Sequence, residues 1–100
     1  MKTIENKQFS PKETYADVMK MCLMSGARDG DTIMRRCVCL PYLKDPGDKI
    51  EVEAADLGTI KQAVSGTDWG FIDQMKLSND AKEELFTSIS EFVEYFKELK

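Results

Sequence analysis

The C-terminal quarter of the sequence carries a long amphipathic pattern that limits what the chain can fold into. Its apolar residues repeat at intervals of four and three, as in a helix that covers a core; they are Leu85, Ile89, Phe92, Phe96 and Leu99. Ser78 can cap the start of this helix, and acidic side chains in its first turns suit the helix dipole. The pattern predicts a helix of about 20 residues within 78–100.

This apolar stripe is unusually wide for a domain of this size, because Phe86 and Val93 extend it on one side. It has two interpretations: the stripe packs on the core of its own domain, or part of it remains outside and drives homo-oligomerisation. Trp69 has the same two interpretations, as a lid on the core or as an anchor for a partner. The candidate interaction residues are Trp69, Phe86, Ile89, Phe92, Val93 and Phe96.

The rest of the chain is also predicted to be mainly helical. Ser10, Pro11 and Glu13 form a helix-start signal, which predicts a first helix over 11–24 that ends near Gly26. A third helix is expected over 54–64. Residues 32–40 fit both a helical face and a β-strand, and we favour the helix, which Pro41 would end.

Residues 49–53 alternate apolar and charged side chains and are the one strand candidate. Its partner is open among residues 2–8, residues 36–40 and the same strand of another subunit. The predicted fold is therefore mainly α, a single domain over 1–100. It is a small bundle of about four helices with one short β-strand or hairpin, preceded by an extended N-terminal arm over 1–10.

Composition excludes several classes of function. The 100 residues suffice for one modest core. Apolar runs are too short to cross a bilayer, and the N-terminus lacks the apolar segment of a signal peptide. Three cysteines, Cys22, Cys37 and Cys39, cannot close a full disulfide framework. We therefore expect a soluble cytoplasmic protein without a membrane partner.

The absence of histidine weighs against catalysis. Ser-His-Asp and Cys-His pairs cannot form, and no glycine-rich phosphate loop is present. The spacing of Cys37 and Cys39 matches neither a thioredoxin-type nor a zinc-knuckle motif, and both are better explained as buried apolar residues. We expect no enzymatic activity, no catalytic residues, no cofactor and no metal.

Charge is distributed unevenly along the chain. The formal net charge is −4, which disfavours general binding of nucleic acid. Residues 1–44 contain eight Lys and Arg against five Asp and Glu, whereas residues 45–100 contain six Lys against 13 Asp and Glu. All three arginines, Arg28, Arg35 and Arg36, lie in the first part. They either pair with nearby carboxylates or converge on an anion such as a phosphate.

The order of these features resembles small proteins of unknown function encoded in tailed-phage genomes. The similarity covers residues 14–75, and its best-matching pieces are Met34-Arg35-Arg36 and Glu53-Ala54-Ala55-Asp56. Pro41 within the second segment departs from that layout. The resemblance implies a phage accessory or morphogenesis protein in the host cytoplasm that works through protein contacts, with no catalytic residues to carry over.

Three functional hypotheses follow. The first is a non-enzymatic phage accessory or morphogenesis protein that acts through protein contacts, as a homo-oligomer or with a phage structural protein. The second is an inhibitor of a host defence or transcription complex that uses the acidic surface. The third is a module that binds a phosphate ligand or nucleic acid through Arg28, Arg35 and Arg36.

Overall fold

The computed structural model describes residues 1–100 and shows four α-helices, with four short strands within the first 52 residues. The helices are α1 (Tyr15–Leu23), α2 (Gly30–Cys39), α3 (Ala54–Ser65) and α4 (Asn79–Glu98). The strands are β1 (Lys2–Glu5), β2 (Gln8–Ser10), β3 (Glu13–Thr14) and β4 (Lys49–Val52). Short 3-10 helices span Leu40–Leu43 and Trp69–Gln74. The predicted mainly α, single-domain fold is confirmed.

The predicted strand finds its partner inside the chain. β4 pairs antiparallel with β1, with Ile4 opposite Ile50 and Lys2 opposite Val52. Ile4, Ile50 and Val52 are buried while their neighbours are exposed, as the alternation of strand side chains requires. The N-terminal arm is therefore part of the fold, because it supplies one of the two strands.

The first helix begins later than its start signal suggests. Residues 8–14 form a small hairpin of β2 and β3, in which Pro11 and Lys12 make the turn and Gln8 lies opposite Thr14. The hairpin buries Phe9, whose ring lies edge-on to Phe92 with centroids 5.9 Å apart. A helix from Pro11 would remove this contact, so the predicted start is wrong.

Thr14 and Asp17 take over the capping of α1. The amide of Thr14 donates to the Asp17 carboxylate at 2.9 Å, and the Thr14 hydroxyl lies 3.3 Å from the same oxygen. At the other end, Gly26 has a φ of +71°, the left-handed conformation expected where the chain leaves a helix. Residues 32–40 are helical, as predicted in preference to a strand, and Pro41 lies in the 3-10 helix that follows.

The core lies where α1, α3 and α4 meet the β1–β4 pair. Phe92 is its centre, fully buried and in edge-on contact with Tyr15 at a centroid distance of 5.0 Å. Phe96 stacks at a tilt against Phe92 with centroids 4.9 Å apart. None of the buried residues is polar or charged. Most of the apolar stripe of α4 thus serves the domain's own core.

Candidate functional site

The structure separates the six predicted interaction residues into core and surface. Phe92 and Phe96 are 0% and 2% exposed, so neither is available to a partner, and their assignment as interaction residues is wrong. Their 4-3 spacing marks the centre of the stripe, which packs inward. Val93 is half-buried beside Phe96, where both line a shallow cavity of about 190 Å³ with Lys61 and Val64.

Trp69, Phe86 and Ile89 come together at the surface. They line one cavity of about 320 Å³ with Ile72 and Asp73. Trp69 is half-buried, and its ring centroid lies 6.4 Å from that of Phe92. It therefore covers the core, as the first of its two interpretations expected. Phe86 is 54% exposed. It is therefore the member of the stripe that remains outside the fold.

Four exposed apolar side chains lie on α4 and on the segment before that helix, and Trp69, which lines the cavity with Phe86, has its ring centroid 6.2 Å from that of Phe71. We name this group the aromatic patch, and its members are Phe71, Met75, Leu77 and Phe86. Carboxylates flank it: Met75 and Leu77 line an open groove together with Asp80, Glu83 and Glu84. This surface combines apolar area with negative charge.

Helix α2 presents a second apolar surface, because its polarity is reversed relative to an ordinary surface helix. Thr32 and Arg36 are half-buried and lie on the same side as the buried Cys39. The opposite side is apolar and exposed, with Met34 69% and Val38 60% accessible. A helix on the surface of a domain normally turns its apolar side inward.

We name the exposed apolar group at α2 the α2 patch, and its members are Met24, Ile33, Met34 and Val38. Met24 and Ile33 line one cavity of about 250 Å³ with Cys37, which joins the end of α1 to α2. This patch is not predicted from the sequence, where residues 32–40 are interpreted as a helix with no side assigned to solvent and Cys37, between the patch members, is interpreted as buried. The sequence does contain one indication of this orientation. Thr32, Arg36 and Cys39 are spaced at four and three residues, so they also share one side of the helix.

Arg36 occupies the inner side of α2 because it caps α1. Its Nη1 donates to the carbonyl oxygen of Ser25 at 2.6 Å and approaches those of Leu23 and Cys22 at 3.4 and 3.5 Å. The last carbonyls of a helix lack partners within the helix, and a guanidinium satisfies them well. Arg36 therefore has a structural role, which explains its burial.

The three arginines nevertheless share one cavity. Its volume is about 350 Å³ and no apolar residue lines it. Arg28 and Arg35 are exposed and have no carboxylate within ion-pair distance, since the two ion pairs of the chain are Lys7–Glu5 and Lys82–Asp73. The expected pairing of the arginines with carboxylates is thus absent.

Asp29, the acidic residue of this cavity, is engaged elsewhere. Its two carboxylate oxygens accept from the Thr32 hydroxyl at 2.7 Å and from the Thr32 amide at 3.0 Å, which caps α2. These hydrogen bonds are the main reason that the pKa of Asp29 lies below its usual value. The carboxylate stays ionised but does not neutralise the arginines by direct contact.

The three cysteines do not form a reactive pair. Cys22 and Cys39 are buried, whereas Cys37 is exposed, so the interpretation of Cys37 as a buried apolar residue is wrong. Cys37 and Cys39 point to different sides of α2 because they are two positions apart on one helix. Burial raises the pKa of Cys22, and it raises the pKa of Cys39 to about 11. Two of the three thiols are therefore poorly reactive at neutral pH.

None of the helices combines the length and apolar character needed to span a bilayer. No group of three or more Cys, Asp or Glu side chains is arranged to hold a metal ion.

Comparison with known proteins adds no relative. No protein-family model, no curated protein and no solved structure matches the chain. The resemblance to tailed-phage proteins therefore stays a prediction.

Proposed function

We propose that the protein is a non-enzymatic, self-assembling protein whose copies join head to tail, the α2 patch of one copy on the aromatic patch of the next. The observation that carries this proposal is the reversed polarity of α2, which exposes Met34 and Val38 to more than half of their area. Contiguous exposed apolar patches on soluble proteins usually mark interaction sites. A second copy of the chain is the occupant that we assign to this one.

Charge complementarity between the two patches supports a second copy as the partner. Arg35 lies beside Met34 on α2, and Arg28 precedes that helix; neither is neutralised by an ion pair. Glu83 and Glu84 flank the aromatic patch and are also unpaired. Opposite charges around two apolar surfaces favour their association and disfavour contact of either patch with itself.

The arrangement determines the kind of assembly. A contact between two different surfaces of identical chains is heterologous, so it produces a closed ring or an open filament. An accessory or morphogenesis protein of a tailed phage, the role implied by the sequence resemblance, is the biological setting that we propose. The copies would act there through protein contacts alone.

Two variants, each with one patch disabled, test the proposal. Val38→Asp places a charge in the α2 patch, and Phe86→Asp places one in the aromatic patch; both positions are exposed, so the fold tolerates the change. Lys100→Asp, at an exposed position after α4 that lines neither patch nor the groove beside the aromatic patch, is the control. Solution mass is measured by light scattering for each protein and for an equimolar mixture of the two variants.

We expect wild type and the Lys100→Asp control to assemble and each patch variant alone to remain a monomer. The mixture retains one intact α2 patch and one intact aromatic patch, so it should form a 1:1 heterodimer that grows no further. Dimerisation of Val38→Asp or of Phe86→Asp alone would instead show that one patch pairs with itself. Monomeric wild type would refute self-assembly.

A further inference from the structure

The cavity at the start of α2 is a concentration of positive charge on an acidic chain. Arg28, Arg35 and Arg36 all line it, while the chain as a whole carries a net charge of −4. Asp29, which also lines it, uses both oxygens for Thr32. Like charges that share a small space repel one another, and a bound anion offsets that repulsion.

The guanidinium groups of this cavity have unused donors. Arg36 engages only Nη1 in its contacts with the carbonyls at the end of α1, which leaves Nε and Nη2 without an acceptor in the protein. Arg28 and Arg35 make no hydrogen bond to any other residue through their side chains. Because Arg36 is fixed by the end of α1, one cationic wall of the cavity is preorganised, which lowers the cost of binding.

The other lining groups are suited to polar ligands. Thr32 on α2 and Thr59 and Gln62 on α3 also line the cavity. The Thr32 hydroxyl donates to Asp29 and the Thr59 hydroxyl donates to the carbonyl oxygen of Ala55, so each hydroxyl is left as an acceptor for a ligand. No aromatic or aliphatic residue lines it, so the guanidinium groups themselves are the only planar side chains in the cavity on which a nucleobase could stack. Its volume of about 350 Å³ lies in the range of sites for small molecules.

We infer that this cavity binds a small phosphate-bearing anion, either inorganic phosphate or the phosphate monoester of a polar, sugar-like molecule. Arginine forks pair with phosphate oxygens through two parallel charge-assisted hydrogen bonds, which Arg28 and Arg35 can supply because neither is held in an ion pair. Thr59 and Gln62 would contact the hydroxyl groups of the ester. The proposed head-to-tail contact also uses Arg28 and Arg35, so phosphate binding is tested apart from assembly in Val38→Asp, whose altered residue does not line this cavity.

The test is a titration of the full chain with inorganic phosphate, glycerol 3-phosphate and adenosine monophosphate, followed by calorimetry and by the rise in Tm. It is made on wild type and on Val38→Asp, so that a failure of assembly does not affect the result. The informative variant is Arg28→Gln/Arg35→Gln. Lys12→Gln/Lys44→Gln, with the same loss of charge at exposed positions outside the cavity, is the matched control.

We expect phosphate and glycerol 3-phosphate to bind, with affinity reduced about ten-fold or more by the arginine variant and unchanged by the lysine control. Adenosine monophosphate should bind no more tightly than glycerol 3-phosphate, because no aromatic side chain lines the cavity and the guanidinium groups are engaged by the phosphate. Absence of binding by both phosphate probes at about 10 mM overturns the inference. Unchanged phosphate binding in the Arg28→Gln/Arg35→Gln variant would also overturn the inference. A strong preference for adenosine monophosphate over glycerol 3-phosphate would overturn it as well.

Discussion

Replacing Phe92 by alanine tests the division of the α4 stripe into a buried and an exposed part. Phe92 is 0% exposed, and four aromatic rings surround it at centroid distances of 4.9 to 6.4 Å. Loss of a buried phenyl ring costs about 3–5 kcal/mol in transfer and cavity terms. Because its edge-on contacts are lost as well, we expect about 4–5 kcal/mol for Phe92→Ala.

Phe86→Ala is the matched control on the same helix. Phe86 is 54% exposed and takes part in none of the aromatic pairs, so its truncation removes about 1 kcal/mol or less. A total stability of about 5–10 kcal/mol leaves Phe92→Ala marginally folded. Phe92→Leu keeps most of the buried volume and gives a second, milder point at about 1–2 kcal/mol.

Urea unfolding followed by far-UV circular dichroism measures these differences, at protein concentrations low enough to keep the chain monomeric. Trp69 fluorescence is less suitable, because its ring contacts Phe92. Equal losses for Phe92→Ala and Phe86→Ala would refute the division of the stripe. So would a larger loss for Phe86→Ala.

Three further results are expected. Native protein should react with a thiol reagent at Cys37 alone, and denatured protein at all three cysteines, by mass spectrometry; rapid native labelling of Cys39 would contradict its burial. Tyr42→Phe should cost about 1 kcal/mol in urea unfolding, since the hydroxyl donates to Asp56 at 2.7 Å; an unchanged midpoint would count against that bond. Folding lowers the pKa of Asp29 below 3.8, so the ionised carboxylate stabilises the fold above pH 3.8, and this stabilisation is lost as pH falls through the lower folded pKa. Asp29→Asn should remove this contribution from the dependence of unfolding free energy on pH, and an unchanged pH dependence would contradict a role for Asp29.

The sequence allows α4 to be predicted well because its signals agree. Ser78 accepts from the amide of Ala81 at 3.2 Å, as the capping pattern indicates, and the 4-3 repeat places Phe92 and Phe96 inward. The start of α1 was not predictable in the same way. The local helix-start signal at Ser10 and Pro11 is overridden there by a hairpin. The hairpin buries Phe9 against Phe92, which is 83 positions away in the sequence.

The orientation of α2 lies beyond local pattern for a related reason. Its two stripes are both regular, and tertiary contacts choose between them. Arg36 turns inward because the carbonyls at the end of α1 need a donor, and the sulfur of Cys39 lies 3.7 Å from the carbonyl oxygen of Asp56 on α3. The apolar side of the helix is then left outside. The clustering of the arginines was predicted as one alternative, whereas the α2 patch required the structure.

The solution mass of the wild-type chain tests the central claim most directly. It is measured by size exclusion with light scattering at low and at high micromolar concentration, each at about 0.05 and about 0.5 M salt. Head-to-tail assembly predicts a mass that exceeds the 11.4 kDa of one chain, rises with concentration and falls with added salt as the flanking charges are screened. A mass of 11.4 kDa under all four conditions would contradict it.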